Sequence, residues 1–245
     1  MVRGSAQRAM NETILQFGTG KFLRCFVDLF AEELNRGPNP AGKIVAVQST
    51  GTERARQINR QQSRFHAAIR GLDGGQVVDQ TFEVASISRA LAAANQWEQI
   101  FAAARSDALV CVVSNTTEAG LVLDPADKPD AIPPVSFPAK LLALLLTRFE
   151  AGGRGLTILP CELVERNAER LLNLVLELAA RWRVGDKATH WIRHACSWRN
   201  TLVDRIVSAP RADDPLAARD PLLAVAEPFA LWLIEGKATE AGGAT

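Results

Sequence analysis

The sequence lacks the features that mark membrane, secreted and nucleic-acid-binding proteins. No apolar run reaches the roughly 18 to 20 residues that a bilayer-spanning helix needs. The N-terminus carries charges with no apolar stretch behind them, so we expect no signal peptide. The chain has 28 Lys and Arg residues against 27 Asp and Glu residues, and the net charge of +1 predicts neither nucleic acid nor an anionic membrane as a partner.

Cysteine is also scarce. Cys25, Cys111, Cys161 and Cys196 are widely spaced, form no Cys-x-x-Cys pair, and three of the four lie in apolar segments. This pattern favours reduced thiols in a core over disulfides or a zinc site, and we therefore expect a cytoplasmic protein. The remaining composition, 47% hydrophobic and 22% charged over 245 residues, is that of a globular protein with ample core.

The two neighbouring histidines form no recognisable metal motif. His190 and His194 are four residues apart and could share one face of a helix, as metal ligands often do. No third ligand completes a plausible motif, so we expect no metal site.

A short glycine turn near the N-terminus is the most informative local feature. A mostly apolar segment ending at Phe17 runs into Gly18 and Gly20, and an apolar-periodic segment begins at Phe22. This predicts a strand that turns sharply into a helix, whose first N–H groups and dipole favour a phosphate. Leu23 stands where the usual fingerprint has its third glycine, so the pattern alone also fits an ordinary strand-to-helix turn.

The next strand bears on which dinucleotide would fit. Residues 43–48 read as a buried strand that ends in Gln48, Ser49 and Thr50. In a dinucleotide fold an acid at this point accepts a hydrogen bond from the ribose 2′-hydroxyl, but here the first acid is Glu53. Glu53 also fits as the first-turn acid of the following helix, so the choice between NAD and NADP stays open.

A polar loop follows the clearest buried strand of the chain. Residues 108–114 form a continuous apolar run, and residues 115–120 begin with four polar residues. Open α/β sheets bind their ligands at the carboxyl ends of such strands. The loop is either a ligand-binding segment or a plain polar connection.

The order of elements predicts the fold class. Alternating strands and helices indicate an α/β protein with a doubly wound, Rossmann-type, mostly parallel sheet. Residues 65–70 and 76–84 alternate in polarity and predict an inserted antiparallel hairpin. A helix should begin after a Ser136 cap and stop before Gly152. We expect one dinucleotide-binding domain over residues 11–235, with disordered tails at residues 1–10 and 236–245.

Seven segments, in order and over nearly the whole chain, resemble the mannitol dehydrogenase family, the polyol-specific long-chain dehydrogenases. Within it they are most similar to the branch that interconverts tagaturonate and altronate. The segments are LQFGTGKFLR at residues 15–24, VQST at 47–50, SNTTEAG at 114–120, SFPAKL at 136–141, LTILPCEL at 156–163, NTLVDRI at 200–206 and AEPF at 226–229.

The resemblance implies a dehydrogenase that uses NAD(H) to reduce the ketone of an open-chain sugar acid. Mannitol-specific members carry Cys-Asp-Asn where this chain has Cys161, Glu162 and Leu163, and the missing amide at Leu163 favours the sugar-acid branch. A mannitol- or fructuronate-type member is the alternative within the family.

The resemblance also implies roles for individual residues. The cofactor would contact the turn and the ends of the strands predicted at residues 43–48 and 108–114, through Phe17, Gly18, Gly20, Phe22, Arg24, Gln48, Ser49, Asn115, Thr117 and Glu118. Thr117 and Glu118 would lie beside the nicotinamide ribose. The substrate cleft would be lined by Glu162, Asn167, Asn200 and Asp204.

Each of these roles has a simpler structural alternative. Arg24 could pair with a nearby acid, and Asp204 with Arg205 as a local ion pair, which when exposed is worth about 1 kcal/mol or less. Glu162 and Asn167 could cap the helix that follows their strand.

The family's proton-transfer residues have no counterpart in this sequence. In the family a Lys-x-x-x-x-Asn-x-x-His motif lies in a second, helical substrate domain, and no lysine here is followed by Asn at the fifth place. We therefore assign no catalytic residue and expect the substrate domain to be absent. The sugar acid would then be a partner only when that domain is supplied, and the alternative is a truncated module that binds a dinucleotide without catalysis.

An uncovered sheet edge would leave apolar surface exposed. We expect such surface near Trp232 and in the segment from Trp191 to Trp198.

Overall fold

Six parallel strands form the central sheet, in the order β5-β2-β1-β6-β7-β8. The structure is a computed structural model, and it describes residues 10–116 and 120–236. The six strands are β1 (Glu12–Phe17), β2 (Lys43–Gln48), β5 (Ile87–Ala92), β6 (Cys111–Ser114), β7 (Thr157–Pro160) and β8 (Ser197–Trp198). Parallel strands need crossover connections, and here helices supply most of them, so both faces of the sheet are covered.

The other strands form two smaller sheets. A four-stranded sheet has the order β10-β11-β3-β4, and an antiparallel two-stranded ribbon joins β9 to β12. Their bounds are β3 (Phe65–Asp73), β4 (Gln76–Val84), β9 (Thr201–Asp204), β10 (Val207–Ser208), β11 (Ala224–Ala226) and β12 (Leu231–Ile234). The antiparallel β3–β4 pair confirms the predicted hairpin, and the doubly wound, mostly parallel sheet is confirmed with it.

Seven helices in the described ranges complete the fold. They are α1 (Lys21–Arg24), α2 (Val27–Asn35), α3 (Glu53–Arg60), α4 (Trp97–Arg105), α5 (Phe137–Glu150), α6 (Asn167–Arg181) and α7 (Asp186–His194). One core packs α4, α5 and α6 against one face of the sheet, and a second packs α1, α2 and α3 with the hairpin against the other. None of these helices is long and apolar enough to cross a membrane.

Helix α5 begins with the predicted Ser136 cap. The Ser136 hydroxyl accepts a hydrogen bond from the Ala139 N–H at 3.2 Å, and Pro138 lies in the first turn. The helix ends at Glu150, just before the glycine pair. Helix α5 is buried along most of its length because it packs between α4 and α6.

Two elements differ from the sequence prediction. The helix after the glycine turn is broken at Cys25 and Phe26, which are not helical. At the break, the Phe26 ring packs on Phe22, with centroids 4.8 Å apart, and on Trp232 at 5.3 Å. Strand β5, at one edge of the parallel sheet, was not predicted, because the apolar and polar residues of its sequence do not alternate strictly.

Exposed apolar surface lies on the β9–β12 ribbon. The Trp232 side chain, near which we expected such surface, is itself half-buried and stacks on Phe30. In the segment from Trp191 to Trp198, the Trp198 indole N–H donates to the Ile192 carbonyl. Leu202 and Leu233 pair directly across the ribbon and are 54% and 53% exposed. The exposed apolar groups beside Trp232 on this ribbon therefore include these two leucines.

Arg148 joins three segments at the amino edge of the sheet. The side chain is 1% exposed, and its guanidinium donates to the carbonyls of Ala104, Ser106, Leu109 and Arg154 at 2.6 to 3.1 Å. Burial lowers the pKa of Arg148, but the group remains a cation at neutral pH.

We expect Arg148→Met to lower the free energy of unfolding by about 3 kcal/mol, because it leaves buried carbonyls without donors. Urea denaturation would measure the change. The matched control is Arg181→Met on the exposed face of α6, which removes only a surface ion pair with Glu177 and should cost about 0.5 kcal/mol or less. Equal losses for the two variants would contradict this account.

Candidate functional site

A crevice of about 460 Å³ lies at the carboxyl edge of the parallel sheet. One wall is the β1–α1 turn with Gly18 and Thr19, and the floor includes the end of β2 and the end of β6. The opposite wall runs from Gly120 to the first turn of α5. Two parallel strands whose helices lie on opposite faces of the sheet meet here, which is where α/β folds bind ligands.

Gly18 gives the turn its shape. Its φ is +129°, and a Cβ there would lie 2.6 Å from Leu23 Cδ1 and 3.0 Å from the Asn115 carbonyl oxygen. Only glycine fits this position without strain. Gly20 differs, since a Cβ there would meet no atom within 4 Å, and it is exposed beside the turn. The turn is therefore tightly packed below Gly18 and open above Gly20.

The end of β2 offers one free hydroxyl. The Gln48 side chain is used by the protein itself, because its Oε1 accepts from the Ala55 N–H and its Nε2 donates to the Thr50 carbonyl, both at 2.8 Å. Ser49 lines the crevice, and its Oγ is buried without a hydrogen-bond partner among the described residues. A buried unpaired hydroxyl is costly, so a ligand oxygen or nitrogen at this point would be favoured.

Glu162 holds the end of β6 in place. It is 2% exposed, and its Oε1 accepts from both the N–H and the hydroxyl of Thr116 at 2.9 Å, while Oε2 accepts from the Ser114 hydroxyl. Asn115 donates its side-chain amide to the Cys161 carbonyl at 2.6 Å. Asn115 and Thr116 thus line the crevice in a fixed position, whereas Glu162 is behind it. Thr117 and Glu118 are outside the described residues.

Asn167 is a buried structural amide. Its Nδ2 donates to the carbonyls of Pro160, Glu162 and Thr201 at 3.0 to 3.1 Å, and its Oδ1 accepts from the N–H groups of Ala168 and Thr201. The residue is fully buried, and no polar atom is left over for a ligand. The amide therefore serves a structural role in three segments, and the predicted substrate contact stays a prediction.

Asn200 and Asp204 lie apart from the crevice. Asn200 Oδ1 accepts from the N–H groups of Ala168 and Glu169 and so caps α6 from outside the helix. Asp204 is exposed on the β9–β12 ribbon, in register with Leu231. Asn200 is therefore structural in this arrangement, and Asp204 remains a candidate for contact with a group outside the described residues.

Three of the predicted cofactor residues lie behind the turn. Arg24 is 1% exposed, and its guanidinium donates to the carbonyls of Thr19 and Leu222, so it stabilises the turn from below and does not face the crevice. Burial lowers the pKa of Arg24 to about 10. Phe17 is fully buried against Phe137, and Phe22 stacks on Phe26. The side chains of these three residues therefore do not line the crevice, and their assignment as cofactor contacts stays a prediction.

The wall formed by residues 122–140 was missed as a site. Asp127 shapes it, since its Oδ1 accepts from the N–H groups of Val135 and Ser136 and its Oδ2 from that of Asp124. Lys140 lines the crevice from α5, and burial lowers the pKa of its ammonium group. The SFPAKL segment at residues 136–141 could have indicated this wall, since it is one of the seven segments that resemble the family, but we assigned no function to its residues.

The two histidines do lie together on α7. The rings of His190 and His194 have centroids 4.4 Å apart, and both residues are exposed. Within the described ranges, no cluster of three or more His, Cys, Asp or Glu residues could hold a metal ion. The four cysteines are free thiols.

The sequence matches the family model described as the mannitol dehydrogenase Rossmann domain over residues 12–244. It is 37% identical over 235 residues to an altronate oxidoreductase of Bacillus subtilis (strain 168), covering 92% of this chain and 49% of that protein. An altronate oxidoreductase of Halalkalibacterium halodurans is 38% identical over 238 residues, covering 92% of this chain and 46% of the relative. The chain thus spans about half the length of the curated relatives it matches.

Two solved structures share the fold. A D-sorbitol dehydrogenase in substrate-free form superposes with a TM-score of 0.79 at 21% identity, covering 94% of this chain and 51% of that one. Mannitol 2-dehydrogenase of Pseudomonas fluorescens, solved as a ternary complex with NAD and D-mannitol, has a TM-score of 0.78 at 22% identity, with coverages of 93% and 50%.

Replacing Asn167 tests whether that residue is structural. We expect Asn167→Ala to lower the free energy of unfolding by about 3 kcal/mol, because three buried carbonyls each lose a side-chain donor. Urea denaturation followed by circular dichroism would measure it. Asn173→Ala, at an exposed position of the same helix, is the matched control and should be near neutral. A variant as stable as the parent would contradict a structural role for Asn167.

Asp28 makes stability depend on pH. It is fully buried beneath the turn, neither carboxyl oxygen has a hydrogen-bond partner among the described residues, and burial raises its pKa to about 7, with Gln16 and Arg24 opposing the rise. In the unfolded chain the pKa is about 3.9, so between these values the folded state binds more protons. Stability should therefore fall as pH rises from about 4 to 7.

We expect Asp28→Asn to remove this dependence. The variant should gain about 2 kcal/mol more stability, relative to the parent, at pH 8 than at pH 5. Denaturation at the two pH values measures it, with the exposed Asp213→Asn as the control. The same gain at both pH values would show that Asp28 is ionised throughout.

Proposed function

The chain belongs to the mannitol dehydrogenase family, and from that membership we propose that it binds NAD(H) in the crevice above Gly18. The observation that carries the proposal is a tight glycine cradle and a buried Ser49 hydroxyl, without a hydrogen-bond partner among the described residues, that line one crevice. These groups fit a dinucleotide, because the cradle admits a phosphate and the hydroxyl can bond a ribose.

Several polar groups around the cradle support this proposal. The Thr19 and Thr116 residues line the same crevice, and Glu162 holds Thr116 there. Val122 and Val135 line it as well and are about half exposed (48% and 49%), so the crevice has an apolar side that suits a base. Apolar walls with a few placed polar groups are typical of cofactor sites.

We further propose that the chain is the nucleotide-binding half of an oxidoreductase that interconverts tagaturonate and altronate. The support is its similarity to altronate oxidoreductases and the presence of Leu163 in place of the asparagine of mannitol-specific members. The bound cofactor supplies hydride chemistry. The described residues bind and orient that cofactor and hold the crevice in shape.

Proton transfer is proposed to need more polypeptide than this chain. No lysine of the sequence carries the family's Lys-x-x-x-x-Asn-x-x-His motif, and the relatives are about twice as long as the matched region. General acid–base catalysis is typically worth about 10²- to 10⁴-fold, and substrate orientation can add more. The isolated chain should therefore bind the cofactor and turn over little substrate.

Calorimetric titration with NADH tests the binding step. We expect a single site that saturates below about 1 mM, a typical upper range for enzyme ligands. Gly18→Ala should weaken binding about tenfold or more, because the added Cβ would collide with Leu23 and Asn115 and deform the cradle. The control is Gly185→Ala, where an added Cβ meets no atom within 4 Å.

Two results would oppose these proposals separately. No binding at millimolar NADH would remove the cofactor proposal and the oxidoreductase proposal together. Steady oxidation of NADH by this chain alone in the presence of tagaturonate would leave binding intact, and would contradict the need for a further proton-transfer domain.

A further inference from the structure

Lys140 is a buried lysine on the wall of the proposed cofactor crevice. It lies in the first turn of α5, is 3% exposed, and lines the crevice together with Gly18 and Ser49. Lysine is among the residues least often buried, and a buried ammonium normally has an anionic partner. Its position therefore needs an explanation.

The described contacts of Lys140 leave its charge largely unpaired. Its ammonium donates one hydrogen bond, to the Val135 carbonyl. The negative charge of Asp127 acts on it, but the Asp127 oxygens already accept from the backbone N–H groups of Asp124, Val135 and Ser136. No salt bridge joins the ammonium to a carboxylate among the described residues. An ammonium has three donors, so two have no partner among the described residues and can bind a ligand.

The crevice has no other basic side chain among its described lining residues. The only other charged residue there is Asp124. An anionic ligand entering the crevice would therefore meet one cation, on the wall opposite Gly18. Lysine binds phosphate oxygens as a point charge and forms short, charge-assisted hydrogen bonds with them.

We propose that Lys140 is a phosphate-contacting residue of the dinucleotide site. The inference rests on the proposed function, and goes beyond it by assigning a side chain to the phosphate. The phosphate is either the pyrophosphate, shared by NADH and NADPH, or the 2′-phosphate of NADPH alone, which no carboxylate at the end of β2 repels. The competing explanation is a purely structural lysine that fixes the Val135 carbonyl.

The test compares NADH and NADPH binding by calorimetry for the parent, Lys140→Gln and Lys140→Arg. Glutamine removes the charge but keeps a donor for the Val135 carbonyl, and arginine keeps the charge. Lys128→Gln is the matched control, because Lys128 is an exposed lysine in the segment that leads into α5. Each titration is repeated at low and high salt, and thermal melting checks that every variant is folded.

A phosphate contact predicts about ten- to a hundredfold weaker binding for Lys140→Gln, a shallower salt dependence, and partial recovery in Lys140→Arg. Equal losses for NADH and NADPH identify the pyrophosphate, and a loss for NADPH alone identifies the 2′-phosphate. A folded Lys140→Gln that binds both cofactors like the parent, with the same salt dependence, would overturn the assignment. Failure of the parent to bind either cofactor would instead overturn the proposed function, and this inference with it.

Discussion

Hydrogen bonding at the carboxyl ends of β6 and β7 is the constraint on which the crevice depends. Parallel strands that stop at a sheet edge leave backbone groups unpaired, and buried backbone groups must find partners. Asn167 satisfies carbonyls from Pro160, Glu162 and Thr201, and Glu162 satisfies the N–H of Thr116. These two side chains tie the loop after β6 to the loop after β7 and to the β9–β12 ribbon. Without them the floor of the crevice would have no fixed shape.

This constraint separates the polar residues at the sheet edge into two groups. Asn167, Glu162 and Arg24 are buried, and the protein itself uses their polar atoms. Ser49 and Lys140 have polar atoms that the described residues leave unpaired or only partly paired. The second group lines the crevice and the first lies behind its lining. A ligand is therefore expected where unsatisfied groups converge, and not simply where polar residues are most frequent.

Sequence reasoning could predict the features that depend on local chemistry. The cradle at Gly18, the buried strand β2 and the Ser136 cap each follow from residue type and spacing. It could not predict the direction in which a side chain points, because tertiary contacts decide that direction. Arg24 faces the interior because the carbonyl of Leu222, 198 residues away in sequence, accepts its guanidinium. Lys140 faces the crevice because Asp127 folds the preceding segment back over it, and no local pattern encodes that fold.

The end of β2, where Gln48 has a structural role, bears on the choice between NAD and NADP. An acid at this position would favour the free 2′-hydroxyl of NAD. Here the residue is Gln48, and its amide is hydrogen-bonded to the first turn of α3 and to Thr50. Ser49 can hydrogen-bond a ribose but, being neutral, cannot repel a phosphate. Among the described lining residues, Asp124 and Lys140 on the opposite wall carry the only charges. In the proposed complex, these two side chains would therefore provide any electrostatic discrimination between NAD and NADP. In the proposed complex, cofactor choice depends on the segment that leads into α5 more than on the strand that usually decides it.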